Sequence, residues 1–155
     1  MATTRSTEAS EAWRALLVAF TDVHHELAAE LEHECGLPIE HYEILLMLYE
    51  ADGQGLRPSE IATRRRLSRS GATRLIDRLV RDQLVDRRTC GEDRRSNLVS
   101  LTTTGRKAFA RAGRVHLEGI DRHVGSRLTG SEMAELGRLL EKLALEPPSD
   151  GPCSP

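Results

Sequence analysis

Arginine residues are concentrated in the middle of the chain, where hydroxyl residues lie among them. Residues 57–95 hold twelve Arg against six Asp and Glu, whereas residues 1–56 hold two Arg against eleven acids. Guanidinium groups donate paired hydrogen bonds to phosphates and to the edge of guanine, and hydroxyl groups bind base edges or phosphates. Although the formal net charge is only -2, the confinement of positive charge to one segment indicates a phosphate-binding surface.

The segment LSRSGATRLIDRLVRDQLV, which begins at Leu67, predicts an amphipathic helix that starts after an N-cap at Ser68. Apolar residues recur at helical spacing along one face: Ala72, Leu75, Ile76, Leu79 and Val80. The opposite face is small, hydroxylated and rich in Arg, and it comprises Ser70, Thr73, Arg74, Asp77, Arg78 and Arg81. Because Asp77 would repel phosphate, we expect it to orient one of the neighbouring arginines.

A short helix is predicted before this segment, and a β-hairpin after it. Pro58 stands at a favourable first position for a helix that runs to about Arg65. Residues 84–89 and 97–101 alternate with a period of two around Gly91, as the strands of a hairpin do. A short helix, a tight turn, a second helix with a basic face and a hairpin together predict a winged helix-turn-helix.

Further helices are expected on both sides of this unit, and the fold class is mainly α: six helices plus a β-hairpin wing, with dimerisation helices at the N and C termini. We expect a flexible N-terminus over 1–9, a dimerisation helix over 10–36, the winged helix-turn-helix over 37–102, dimerisation helices over 103–145 and a disordered tail over 146–155. The fifth helix is expected to extend to Leu128, and Ser131 to cap the sixth. The long apolar stripes of the terminal helices predict a homodimer.

The segments LSRSGATRLIDRLVRDQLVDRR and DRRSNLVSLTTTG resemble the core of the MarR family of winged-helix transcription regulators. The three cysteines form no CxxC pair and are odd in number, which suits a reducing cytoplasm. The resemblance implies a homodimer that binds double-stranded DNA at a pseudo-palindromic operator. It also implies a repressor that a small-molecule effector, an oxidant or a metal releases from DNA. Two residues depart from the family pattern: Arg57 replaces a Ser or Thr cap, and Gln83 replaces a Gly, which predicts a different turn before the wing.

The resemblance also implies a set of DNA-binding residues. In the recognition helix these are Ser68, Arg69, Ser70, Thr73, Arg74 and Arg78, and in the wing they are Asp93, Arg94 and Arg95. Arg95 is expected in the minor groove of DNA, and Asp93 is expected to hold the wing in shape. For Arg94, a phosphate contact and exposure to solvent both remain open. Arg64 and Arg65 are expected at phosphates, and one residue of the run Arg64 to Arg66 is expected to cover the neighbouring helix instead.

An effector pocket is a further hypothesis, with five candidate residues: Trp13, Phe20, Tyr42, His41 and His116. The same aromatic residues also fit a role in core or dimer packing. His41 and His116 leave a metal site open as an alternative, and Cys35 and Cys90 leave a redox switch open, although the chain has no compact ligand motif such as CxxC.

Other function classes find little support in the sequence. No nucleophile with a base, no phosphate-binding loop and no metal motif predicts an enzyme or a cofactor. The longest strongly apolar run, ILLMLY from Ile44, is too short to span a bilayer, so no membrane partner is expected. The alternative from a different class is a winged-helix interaction module that docks an acidic protein on its basic face.

Overall fold

The computed structural model describes residues 2–89 and 97–144. Their elements are α1 (Ala2–Cys35), α2 (Ile39–Glu50), α3 (Pro58–Arg64), α4 (Arg69–Arg81), β1 (Val85–Thr89), β2 (Asn97–Leu101), α5 (Thr103–His123), a 3-10 turn (Gly125–Arg127) and α6 (Gly130–Leu143). β1 and β2 pair antiparallel, with Val85 opposite Leu101 and Arg87 opposite Val99. This order confirms the predicted mainly-α winged helix-turn-helix with six α-helices.

The first helix is longer than the sequence pattern predicted. It begins at Ala2 and not near Ser10, so the expectation of a flexible segment is wrong for residues 2–9. These residues include no Gly or Pro, and extending an existing helix by one residue costs little compared with nucleating a new one. The Ser10 hydroxyl donates a hydrogen bond back to the Ser6 carbonyl at 2.8 Å and caps nothing. The predicted tail over 146–155 lies outside the described residues.

The aliphatic core of the winged unit surrounds α2. The largest side chains that are fully buried come from α1, α2, α3, α4 and both strands: Leu31, Ile44, Leu45, Ile61, Ile76, Leu79, Val85 and Val99. The predicted apolar stripe of α4 is narrower than expected, because Val80 remains 36% exposed and Leu75 is only partly buried. The reason is that α4 packs on α3 and β1, which cover one side of the helix.

Two helices of the winged unit end in the same kind of turn, each with a non-glycine residue in the left-handed conformation. Arg66 (φ 51°) follows α3, and Gln83 (φ 58°) follows α4. In each turn an amide two residues past the cap bonds back into the helix, from Leu67 to Ala62 at 2.8 Å and from Leu84 to Leu79 at 2.9 Å. The prediction of a different turn at Gln83 is therefore wrong, since glutamine adopts the conformation that glycine favours.

Thr102 and Gly105, in the LTTTG motif, join the end of α4 to the start of α5. The Thr102 hydroxyl accepts a hydrogen bond from the Gly105 amide at 2.9 Å, and it donates to the Gln83 and Leu84 carbonyls at 2.7 and 3.1 Å. A Cβ atom on Gly105 would overlap with the Leu84 carbonyl. The glycine is required because two backbone segments meet there.

The C-terminal helices differ from the prediction in their boundaries. α5 ends at His123, and Leu128 lies beyond the following 3-10 turn, which begins at Gly125. Thr129, and not Ser131, is the N-cap of α6. Its side chain accepts from the Glu132 amide, and the Glu132 carboxylate accepts from the Thr129 amide at 2.8 Å. This reciprocal pair is the capping box, which satisfies two amides at once.

Candidate nucleic-acid interface

The first turn of α4 presents hydroxyl groups to solvent. The Ser68 side chain accepts a hydrogen bond from the Gly71 amide at 3.1 Å, which confirms its predicted role as N-cap. Ser70 lies beside it, with 3.2 Å between the two Oγ atoms, and the Thr73 hydroxyl donates to the Arg69 carbonyl at 2.9 Å. All four of these polar residues are exposed, so they are available to a partner at the start of the helix.

The arginines on the exposed face of α4 are free of protein partners. Arg69, Arg74 and Arg78 are exposed, and none of their guanidinium groups forms a hydrogen bond or ion pair with another residue of segments 2–89 and 97–144. Arg64, at the end of α3, has the same properties. Guanidinium groups without an internal partner keep all five of their N–H donors for an external acceptor. The structure thus brings four of the predicted DNA-binding arginines to the two helices of the helix-turn-helix.

Arg65 lies in a different environment from its neighbour Arg64. Its guanidinium forms a half-buried ion pair with Glu43 of α2. This contact joins the helix-turn-helix to the central helix, as expected for one member of the arginine run. The proposed phosphate contact of Arg65 is therefore replaced by an internal one in this structure.

The N-terminus of α3 has half of a capping box. Arg57 stands at the N-cap position and its side chain makes no cap hydrogen bond, because a guanidinium has no acceptor atom. The Glu60 carboxylate accepts from the Arg57 amide at 2.6 Å. The weaker cap that the sequence predicted is thus partly compensated from within the first turn.

The partner of Asp77 was predicted incorrectly. Asp77 lies on the exposed face of α4, but its carboxylate pairs with Arg87 of β1 and not with Arg74, Arg78 or Arg81. The ion pair connects the recognition helix to the first strand of the wing. Asp93, Arg94, Arg95 and Cys90 lie outside the described residues, so their predicted roles have no structural counterpart.

The chain is similar to known regulators over this unit and beyond it. A family model described as the MarR family matches residues 36–96. The repressor YetL of Bacillus subtilis is 33% identical over 94 residues, which are 59% of this chain and 56% of YetL. The crystal structure of AbsC, a MarR family regulator from Streptomyces coelicolor, is 30% identical with a TM-score of 0.78, over 86% of this chain and 90% of AbsC. This chain belongs to the MarR family.

A second structure from Streptomyces coelicolor extends the comparison to a DNA complex. Sco3205, a MarR family regulator solved in complex with DNA, is 27% identical with a TM-score of 0.80, over 88% of this chain and 86% of Sco3205. These relatives are named as transcriptional regulators, in agreement with the prediction of a regulator and not an enzyme. The match with YetL spans only about half of the length of that protein.

An aromatic cavity lies between α2 and α5 of this MarR family chain. It measures about 720 Å³, and its lining includes Tyr42, Tyr49, Phe109 and His116. The Tyr42 and His116 rings are 4.7 Å apart, as are the Tyr49 and Phe109 rings. Among the candidate effector residues, Tyr42 and His116 are thus brought together. Tyr49 was not singled out in the sequence, although it follows Tyr42 by seven residues, which places both on the same side of a helix.

His116 is one of the polar residues that line this cavity, which also include Arg114 and Glu118. Its Nδ1 atom is buried and has no hydrogen-bond partner within the described part of the chain. Burial lowers the pKa of His116 and so favours the neutral ring. An unpaired buried nitrogen of this kind has an unfilled hydrogen-bonding capacity.

The other three candidate effector residues lie elsewhere. His41 lines a separate cavity of about 400 Å³ together with Cys35, Asp82 and Arg111, and burial lowers its pKa. Trp13 and Phe20 are 59% and 63% exposed on α1 and line neither cavity. Of the five candidate residues, these two cavities thus bring together only Tyr42 and His116.

The described residues contain neither a cluster of potential metal ligands nor a helix that could span a membrane. In segments 2–89 and 97–144, no group of three or more His, Cys, Asp or Glu side chains is arranged to hold a metal ion. His41 and His116, the two histidines considered as metal ligands, line different cavities. Within the same segments, no helix is both long enough and apolar enough to cross a membrane.

Proposed function

We propose that this MarR family protein is a sequence-specific DNA-binding repressor that acts as a homodimer on a pseudo-palindromic operator. The observation that carries the proposal is the exposed face of α4, where Arg69, Arg74 and Arg78 have no internal partner. An α-helix fits the major groove of B-DNA, and an arginine there donates two hydrogen bonds to guanine. The DNA complex of the similar regulator Sco3205 supports the same assignment.

Different residues of the interface would have different roles. Arg74 and Arg78 read base edges, together with the hydroxyl groups of Ser70 and Thr73. Arg64 binds phosphate and sets the register of the helix without specifying the sequence. From the family resemblance, Arg95 of the wing enters the minor groove.

Binding to DNA at increasing salt concentration tests this proposal. Release of counterions from several neutralised phosphates predicts a steep fall in affinity, with a logarithmic slope of about 0.9 per phosphate contact. Arg64→Ala is expected to reduce this slope by about one and to lower the affinity for all DNA sequences alike. Arg74→Ala is expected to relax the sequence preference at one or two base pairs. A flat salt profile, or equal and sequence-independent losses from both variants, would contradict the proposal.

A variant on α6 provides the matched control. Arg138 is exposed there and pairs with Glu135 on the same helix at 2.5 Å, far along the chain from the winged unit. Arg138→Ala removes the same charge as Arg74→Ala, and it is expected to leave both the affinity and the sequence preference unchanged. A similar loss in Arg138→Ala would mean that net charge, and not the face of α4, determines binding.

The homodimer is supported by exposed apolar side chains at both ends of the chain. On α1 they are Trp13, Leu17, Val18 and Phe20, and on α6 they are Met133, Leu136, Leu139, Leu140 and Leu143. Each set follows helical spacing, and apolar patches of this kind mark protein interfaces. A second copy of the chain would cover both sets and would bring two recognition helices to the two half-sites of one operator.

The effector would bind in the cavity between α2 and α5. The aromatic lining favours a flat apolar molecule, and the unpaired Nδ1 of His116 favours one hydroxyl or carbonyl group that reaches this atom. Screening aromatic molecules that carry one such group for release of the protein from DNA tests this. His116→Phe keeps the volume but removes the hydrogen bond, and it is expected to weaken the response about tenfold without changing DNA affinity in the absence of effector.

A further inference from the structure

Asp77 places a negative charge on the otherwise basic, exposed face of α4. It is the only acidic residue in the helix, and its side chain is 51% exposed. Helical spacing places Arg74 one turn before it and Arg81 one turn after it. A carboxylate in this position would face the DNA phosphates, and juxtaposed like charges weaken an interface strongly.

The pairing of Asp77 with Arg87 removes this conflict. Arg87 belongs to β1, where it lies opposite Val99 of β2, and its guanidinium reaches the Asp77 carboxylate. An ion pair within α4 would instead have occupied Arg74 or Arg81. Because the partner comes from the wing, the arginines of α4 keep their N–H donors.

We infer that Arg87 is a positioning residue for DNA binding, which acts through Asp77 by neutralising and holding its carboxylate. It does not contact DNA itself. The inference rests on the proposed function, because it matters only if the exposed face of α4 meets DNA. According to this inference, Arg87, the first arginine of the DRR sequence at 86–88, contacts the recognition helix and not a DNA phosphate.

The adjacent Arg88 is the matched control. Consecutive residues of a strand point to opposite faces, and Arg88 lies with Asp86, Thr103 and Arg106 around a polar groove at the base of the wing. No hydrogen bond or ion pair joins the Arg88 guanidinium to Asp77 or to any other residue that the structure describes. A substitution of Arg88 removes the same charge from the same strand and leaves the Asp77 pair intact.

A double-mutant cycle in DNA affinity tests the inference, with Arg87→Gln, Asp77→Asn and the double variant measured at one salt concentration on one operator-length duplex. Arg87→Gln is expected to bind about tenfold more weakly, because it leaves an unpaired carboxylate against the phosphates. Asp77→Asn and the double variant are expected to stay within about twofold of the wild type, because neither retains that charge. Arg88→Gln is expected to have the same effect with and without Asp77→Asn.

Two other patterns would overturn the inference. A direct phosphate contact from Arg87 would make the loss in Arg87→Gln persist in the Asp77→Asn background. A purely structural ion pair would make the two single variants and the double variant equally weak, with matching losses in thermal stability. If the folded wild-type protein fails to bind any duplex, the proposed function itself is wrong; if it binds and the losses are additive, only the role of Arg87 is wrong.

Discussion

The winged unit and the two ends of the chain bury their apolar residues in different ways. In the winged unit, α2, α3, α4 and the two strands cover one another, and Ile44, Ile61, Ile76 and Val99 have no exposed surface. At the ends, the N-terminal half of α1 and the whole of α6 leave large apolar side chains in solvent, and no residue of α6 is buried. The winged unit thus covers its apolar residues within one protomer, whereas the ends leave theirs uncovered.

Charge differs between the same regions. The winged unit carries the excess of arginine, and the N-terminal region carries the excess of acid. A region that is positive and internally packed suits binding to a polyanion, whereas an apolar surface flanked by acids suits binding to protein and repels DNA. Each prediction below changes one of these two regions and names the response that distinguishes it from the other.

The largest expected effect comes from one glycine substitution. Gly105→Ala places a Cβ atom against the Leu84 carbonyl, and because both partners are backbone, we expect a loss of about 3 kcal/mol in the free energy of unfolding. Gly137→Ala, in α6, meets no atom within 4 Å and is expected to stabilise by up to about 1 kcal/mol, as alanine does in a helix interior. Urea unfolding measures both; equal effects would contradict the distinction between the two regions.

An acidic substitution at the C-terminal end is expected to separate the protomers without unfolding them. Leu140 lies in the exposed apolar stripe of α6, and Leu140→Glu would place a charge in the proposed dimer interface, weakening dimerisation about a hundredfold. Sedimentation at micromolar concentration measures this, with Lys142→Glu on the same helix as the control for added negative charge. A wild-type monomer, or a variant dimer of unchanged affinity, would contradict the proposed role of α6.

Acidification is expected to destabilise the protein through two histidines, the buried His41 of α2 and the half-buried His116 of α5. Burial lowers the pKa of His41 and of His116 from the ordinary value of 6.5. The unfolded chain therefore binds protons at these rings more readily than the folded protein does, so their contribution to stability is complete above pH 6.5 and is lost as the pH falls below it. Thermal melting between pH 7.5 and 5 at about half-unit steps measures this dependence.

Variants of single histidines assign that dependence to its source. His116→Gln is expected to flatten the curve below pH 6.5 because it removes one of the two groups. An unchanged curve in His116→Gln would contradict the assignment of the dependence to this ring.

The smallest expected effect concerns the turn that follows α4. Gln83 has a φ of 58°, a conformation that strains residues other than glycine by roughly 1 kcal/mol. Gln83→Gly is expected to stabilise the winged unit by about 0.5 kcal/mol, because the relief of strain exceeds the added flexibility of the unfolded chain. The same change at Arg66, with a φ of 51°, should give a similar gain in thermal melting. A loss of stability in both variants would show that side-chain contacts outweigh the strain.

Local patterns were sufficient to predict much of the fold. Ser68 was recognised as a cap because a Ser before a helical stripe accepts an amide hydrogen bond wherever that helix forms. The order of helices and strands followed from periods of 3.6 and 2 residues, which depend on the chain alone. Family membership followed from the combined helix and hairpin segments and was confirmed by the comparisons.

Contacts between distant segments could not be predicted in the same way. The sequence placed Asp77 among three arginines of its own helix, and the choice of Arg87 depends on where β1 returns past α4. The candidate effector residues illustrate the same limit: Tyr42 and His116 are 74 positions apart and meet because α5 packs on α2, whereas Trp13 and Phe20 lie on α1 and line neither cavity. Spacing along the chain determines which residues share one face of a helix, but it does not determine which element packs against that face.

The sequence by itself thus determined the elements, the separation of charge and the basic face of α4. The tertiary structure alone decided which of the arginines are free, which carboxylates are neutralised and which aromatic rings share a cavity. The physical reason is that propensity, capping and periodicity act within about one helical turn, whereas ion pairs and cavities depend on how whole elements are packed against one another.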